Sequence, residues 1–282
     1  MNTLVIARLT FKEAARRKIL LAALILGIVF LIVFGLGFHF IVREMERSPY
    51  GPGILEQNEI SGFLYTAGLY VVNFLTVMMT VLTSVDTLSG EIQSGTVHTL
   101  LAKPVRRREI VLGKWLGFAG MISLYLLLMA GGITLFIYLR SDYLARNPFQ
   151  AISMIWLNAL LMLSITLFGG TFLSTLANGV LVFGLFGVAF IGGWIEQIGG
   201  FFPEFNARVS ATNIGILTSL LMPSEALWKR AAYEVQSPLS SALGFSPFVA
   251  NSIPSPLMIV YAGFYLLVIL FFAVYVFKRR DL

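Results

Sequence analysis

The chain has 282 residues, of which 57% are hydrophobic and 12% charged, with a mean hydropathy of +0.85. Soluble domains carry about 25% charged residues, and the apolar residues here are gathered in long runs, which excludes an ordinary soluble enzyme and a disordered chain and indicates an integral membrane protein. The net charge of +6 arises from Lys and Arg flanking those runs, pointing to membrane topology and anionic lipid, not nucleic acid. The absence of Cys and the presence of only His39 and His98 exclude disulfides and thiolate sites and leave no material for a multi-histidine metal centre.

In chain order, residues 3–18 read as an amphipathic helix, with Leu4, Ala7, Phe11, Ala14 and Ala15 on one face and Lys12, Glu13, Arg16 and Arg17 on the other. Such a helix lies in the membrane interface or serves as a simple positive anchor. The apolar run that follows is too long for a cleaved signal and lacks a small-residue cleavage site. A crossing needs about 20 apolar residues, and six segments meet this: 19–38, 61–85, 115–139, 152–177, 180–198 and 257–277. Asn178-Gly179 is expected to turn the fourth span into the fifth. Segment 199–256 is read as a long external loop with a helix over 213–235 broken at Pro223, then irregular chain over 236–256. Gly192-Gly193, Gly199-Gly200 and Pro203 suggest a broken or re-entrant element at the outer boundary.

Orientation follows from the basic residues. The ends and the loop between spans two and three hold 13 Lys and Arg, against 7 in the other connections. Both termini are therefore expected in the cytoplasm. No Asp, Glu, Lys or Arg lies centrally in any span; Asp86 and Glu196 sit at span ends. Ion-coupled carriers, voltage sensors and intramembrane hydrolases need such groups, so no catalytic residue is assigned and any energy source is expected on another polypeptide. Span two carries a polar stripe, Thr66, Asn73, Thr76, Thr80 and Thr83, within an arc of about 100° at 3.6 residues per turn. It is a candidate wall of a substrate path or a dimer seam, or else bonding between packed helices.

The loop 86–114, DTLSGEIQSGTVHTLLAKPVRRREIVLGK, is the most informative stretch. Gly90-x4-Gly95-Thr96 has phosphate-loop spacing but lacks the lysine and the preceding strand, so it is no nucleotide site. A short amphipathic element is expected from Glu91 to Leu101, stopped at Pro104 and followed by the basic Arg106–Arg108 cluster. It suits docking of a partner, or an interfacial helix held on anionic lipid.

The acid Asp86 at the span end, Gly90-Glu91, Gly95-Thr96, Leu100-Leu101, Pro104, Ile110 and Gly113-Lys114 together resemble the corresponding loop of ABC-2 family permeases, the membrane halves of type-2 ABC exporters. The basic N-terminal helix, six spans and the Phe277-Lys278-Arg279-Arg280-Asp281 end extend the resemblance over the whole chain. Pro223-Ser224-Glu225 is similar to a Pro-Thr-Asp segment of NosY-type permeases. The resemblance implies an all-α single domain over 1–282, with an interfacial elbow helix at 1–18 and a cytoplasmic coupling loop at 86–114. It implies that Asp86, Gly90, Glu91, Gly95, Thr96, Leu100, Leu101 and Pro104 meet a separate cytoplasmic ATPase subunit, which would hold ATP and Mg. A second permease copy, membrane lipid and an extracytoplasmic partner at 199–256 complete the expected partners, in a cell membrane. An ion-coupled transporter and a non-transporting mechanical or regulatory subunit are the alternatives.

Overall fold

A computed structural model describes residues 2–47, 53–95, 106–199, 204–236 and 252–280, and every regular element among them is helical. Helix α1 (Asn2–Ala15) turns at Arg16-Arg17 into α2 (Lys18–Arg47). Helix α3 (Ile54–Ser84) passes through a bend at 85–88 into the short α4 (Ser89–Gln93). The remaining helices are α5 (Arg107–Ser141), α6 (Pro148–Gly170), α7 (Thr175–Gly199), α8 (Phe205–Leu221), α9 (Ser224–Val235) and α10 (Pro256–Arg279). Six of them, α2, α3, α5, α6, α7 and α10, are long and apolar enough to cross a membrane.

Local chemistry sets several boundaries. Pro148 and Pro256 open α6 and α10 at first-turn positions where no backbone donor is needed. Helix α5 begins eight residues before its apolar window because Glu109 Oε2 accepts the Arg106 backbone N–H at 3.1 Å, supporting a polar first turn. It ends where Asp142 adopts a left-handed φ of 54°.

Helix α6 is the most enclosed span and is buried nearly all round its second half, as a central helix must be. Helices α3, α5, α9 and α10 pack against it, while α2 packs on α3 and α5; α2 and α10 keep most of their apolar surface outward. Exposed Ile25, Ile28, Ile32 and Leu36 on α2 are unremarkable against hydrocarbon, where leucine-like surface costs nothing.

Two expectations about connections are corrected. The turn between the fourth and fifth spans lies at 171–174, and Asn178-Gly179 sits inside α7. Asn178 is fully buried and its amide donates to Val85 O at 3.1 Å and Thr166 O at 2.9 Å. Its side chain therefore joins α6 and the end of α3, and residues 171–174 make the turn. The 199–256 region, among its described residues, is mostly helix: α8 starts at Phe205, and Pro223 separates it from α9 as expected. Helix α8 runs back antiparallel along α7, since Gly199 faces Ala211, Glu196 faces Gly215 and Gly192 faces Thr218. Residues 237–251 lie outside the described residues.

Of the apolar face expected on α1, Ala7, Phe11 and Ala14 are buried or half-buried, Ile6 and Thr10 join them against α5, and Leu4 is 72% exposed. Glycine permits the contact: a Cβ at Gly117 would lie 2.6 Å from Ala7 O, and one at Gly113 2.7 Å from Ile6 Cβ.

Candidate functional site

At the bend between α3 and α4, charged side chains from four parts of the chain converge. Lys114 Nζ on α5 donates to Glu91 Oε1 on α4 at 2.5 Å and reaches Thr87 O at 3.5 Å. Both partners are sheltered, with side-chain exposures of 4% and 21%. Arg17, at the joint between α1 and α2, pairs with Asp86 and also with Glu13 at 2.9 Å. Ser89 Oγ meets Thr175 Oγ1 at 2.8 Å, joining α4 to the start of α7. Helix α4 is thus fastened to α5, to the α1–α2 joint and to α7.

Asp86, Gly90, Glu91 and Gly95 all fall in this cluster. Helix α4 is shorter than the 91–101 element expected: it starts at Ser89 and stops at Gln93, where Gly95 takes a φ of 71° and its N–H reaches Ile92 O at 3.3 Å. Thr96, Leu100, Leu101 and Pro104 lie outside the described residues. Glu91 turns inward to Lys114, so within this chain it anchors the helix. Gly113 and Lys114 acquire physical roles that their spacing alone did not carry: the glycine admits α1 and the lysine holds α4.

The stripe on α3 is closed. Thr66, Asn73, Thr76, Thr80 and Thr83 are all at most 6% exposed. The four threonine hydroxyls donate to carbonyls four residues back in their own helix, at 2.7–2.9 Å. Only Asn73 bonds across helices, accepting from Asn158 Nδ2 on α6 at 2.9 Å. In this conformation no stripe residue faces the outer surface of the chain, and Asn73 alone ties the stripe to a neighbouring helix.

The opposite end of the bundle carries a second buried cluster, which brings together Glu196 and Glu225, read separately in the sequence, with Lys229. Lys229 on α9 pairs with Glu196 at the end of α7 at 2.5 Å, and Ser252 Oγ donates to the same carboxylate. Glu225 lies beside them, outside the six spans, and burial pushes its carboxyl up to about 7 despite the counteracting Lys229 charge. The spacing Glu225–Lys229 on one helix face was a visible signal; the partner of Lys229, 33 residues away, was not. Arg140 forks onto Glu46 at 2.9 and 3.0 Å and donates to His39 Nδ1 at 3.2 Å. Among the described residues, no group of His, Asp and Glu is placed to hold a metal ion.

These clusters are ion pairs that tie one helix to another, with Ser252 adding a hydroxyl donor to Glu196. Glu91–Lys114 joins the five-residue α4 to a helix of 35 residues. Residues 4–282 match the family model described as ABC-2 family transporter protein. No curated protein matches the chain.

Proposed function

The chain belongs to the ABC-2 family of transporter proteins and is a multi-pass permease component of an ABC transporter, and from that premise we propose that it is the membrane half of an ATP-driven exporter. In this reading a separate cytoplasmic subunit binds ATP and Mg and hydrolyses the nucleotide. The ends and the α3–α5 connection face the cytoplasm of a cell membrane, and α4 with the segment after it seats on that subunit. Two permease chains pair, most simply as a homodimer with two ATPase subunits. Closure of the ATPase pair moves α4, and rigid-body movement of the spans alternates access.

The observation that carries the proposal is the fastening of α4 to α5 through Glu91–Lys114 and to the α1–α2 joint through Asp86–Arg17. A helix of five residues with no hydrophobic core of its own transmits force only if it is tied to longer elements. The test is co-purification of the detergent-extracted chain with its cytosolic partners, followed by an ATPase assay. A stoichiometric nucleotide-binding subunit with vanadate-sensitive hydrolysis supports the reading, and its absence from well-folded protein overturns it. The closed packing of the α3 stripe favours one second reading, a mechanical or regulatory subunit that moves no cargo. ATP-dependent flux in vesicles separates the two.

A further inference from the structure

A cleft of about 680 Å³ lies between the start of α5 and the last turns of α10, lined by Arg106, Arg107, Arg108, Phe271, Val274, Tyr275 and Lys278. Its two halves differ in chemistry. Arg107 is already engaged, donating to the carbonyls of Phe277, Lys278 and Arg280 that end α10. Arg106, Arg108 and Lys278 are exposed, and none of the ion pairs among the described residues involves them. Seven residues below Lys278, about 10 Å along the helix, Phe271 closes the cleft with an aromatic ring 64% exposed. Phe271 is the last member of an outward stripe, Leu257, Val260, Phe264 and Leu267, that runs the length of α10 at helical spacing. The cleft therefore opens onto the hydrocarbon-facing side of a span at its apolar end and is ringed by cations at its polar end.

We propose that this cleft is a binding site for an anionic phospholipid, with the headgroup phosphate held by Arg106, Arg108 and Lys278 and an acyl chain lying on Phe271 and the α10 stripe. The order of chemistry along α10 matches the order in a lipid, and basic side chains at a membrane surface attract anionic headgroups. A free phosphate would satisfy the cations but leave the aromatic floor unused. A bound lipid would also bridge α5 to the end of α10, beside Arg280, which bonds Thr171 O in the α6–α7 turn. This inference is independent of the transport reading.

The test is native mass spectrometry of the full chain released from nanodiscs of equal phosphatidylglycerol and phosphatidylcholine. Wild-type protein is expected to retain phosphatidylglycerol preferentially, and Arg106→Gln, Arg108→Gln and Lys278→Gln to weaken retention about fivefold per charge removed. Should the triple variant not fold, Arg108→Gln alone gives the same reading at smaller amplitude. Retention that survives excess inorganic phosphate supports a lipid, and displacement by phosphate overturns it in favour of a simple anion site. Equal retention of both lipids, or an equal loss in the remote variant Arg43→Gln/Arg47→Gln, overturns the site. So does a triple variant that changes oligomeric state with lipid retention intact, which would make the cleft a contact between copies.

Discussion

Lys114 is a cation 3% exposed, and among the described residues its ion pair is with Glu91. Removing one member of such a pair leaves the other desolvated and uncompensated, which costs about 3–5 kcal/mol. Glu91→Gln is expected to destabilise the protein by about that order, read as a lower midpoint of thermal unfolding in detergent. The double variant Glu91→Leu/Lys114→Met removes both charges and should recover most of the stability. If the pair carries force, the double variant still fails to couple ATPase activity to the permease. Recovery of coupling as well would reduce the pair to a structural fastening. Glu225 allows a prediction about pH. An ordinary glutamate has a pKa of 4.5, and this one is held at about 7 by burial, so between those values the folded state binds a proton that the unfolded state has released. Its contribution is therefore fully present below the unfolded value and is lost as pH rises toward 7, by roughly 3 kcal/mol at 1.36 kcal/mol per unit. Wild-type stability should fall across pH 5 to 7 more steeply than that of Glu225→Gln, which stays neutral throughout. Parallel profiles would show that Glu225 ionises normally.

Helix α1 depends on what α5 leaves out. Without side chains at Gly113 and Gly117, the two backbones approach until Ala7 O lies 2.6 Å from where a Cβ at 117 would stand. Gly117→Val is expected to force α1 away, at the 1–3 kcal/mol typical of overpacking, and to expose the α1–α2 joint that carries Arg17. Gly120→Ala is the control: its nearest neighbour, Phe11, is 3.9 Å away, so the change should be neutral or slightly stabilising. Protease cleavage near residues 8–17, compared between the two variants, checks this. The α7–α8 pair follows the same logic, with glycine on each helix meeting a side chain of the other. A run of glycines marked this hairpin in the sequence as a boundary feature. That α8 would double back along α7 depended on which residues faced them.

For the molecule as a whole, the uneven placement of 20 Lys and Arg predicts an orientation that can be tested directly, because the chain has no cysteine. Single cysteines at Lys12 and Arg279 are expected to react with a membrane-impermeant thiol reagent only from the cytoplasmic side, and one at Arg146 only from outside. Labelling of all three from one side would break the six-span reading. Six spans, their approximate limits, the helix before them and the break at Pro223 were legible in the sequence alone. Each follows from a local cause: 20 apolar residues satisfy a bilayer, proline lacks a donor, and amphipathic spacing gives a helix one wet face. The loop at 86–114 was legible as a pattern, and the pattern led to the family. Which partner each charge takes was not legible. Lys114 with Glu91, Arg17 with Asp86 and Lys229 with Glu196 are separated by 23, 69 and 33 residues, and a charge at a span end looks the same before and after it is paired. For the α3 stripe, likewise, periodicity gives the face of a helix but not what covers it. Asn178 joined helices instead of making a turn because two carbonyls from elsewhere came within its reach. Composition and local periodicity determined the elements. Only the tertiary structure decided which polar groups meet, since in a low-dielectric bundle each buried charge or amide is set by the partner that packing delivers to it.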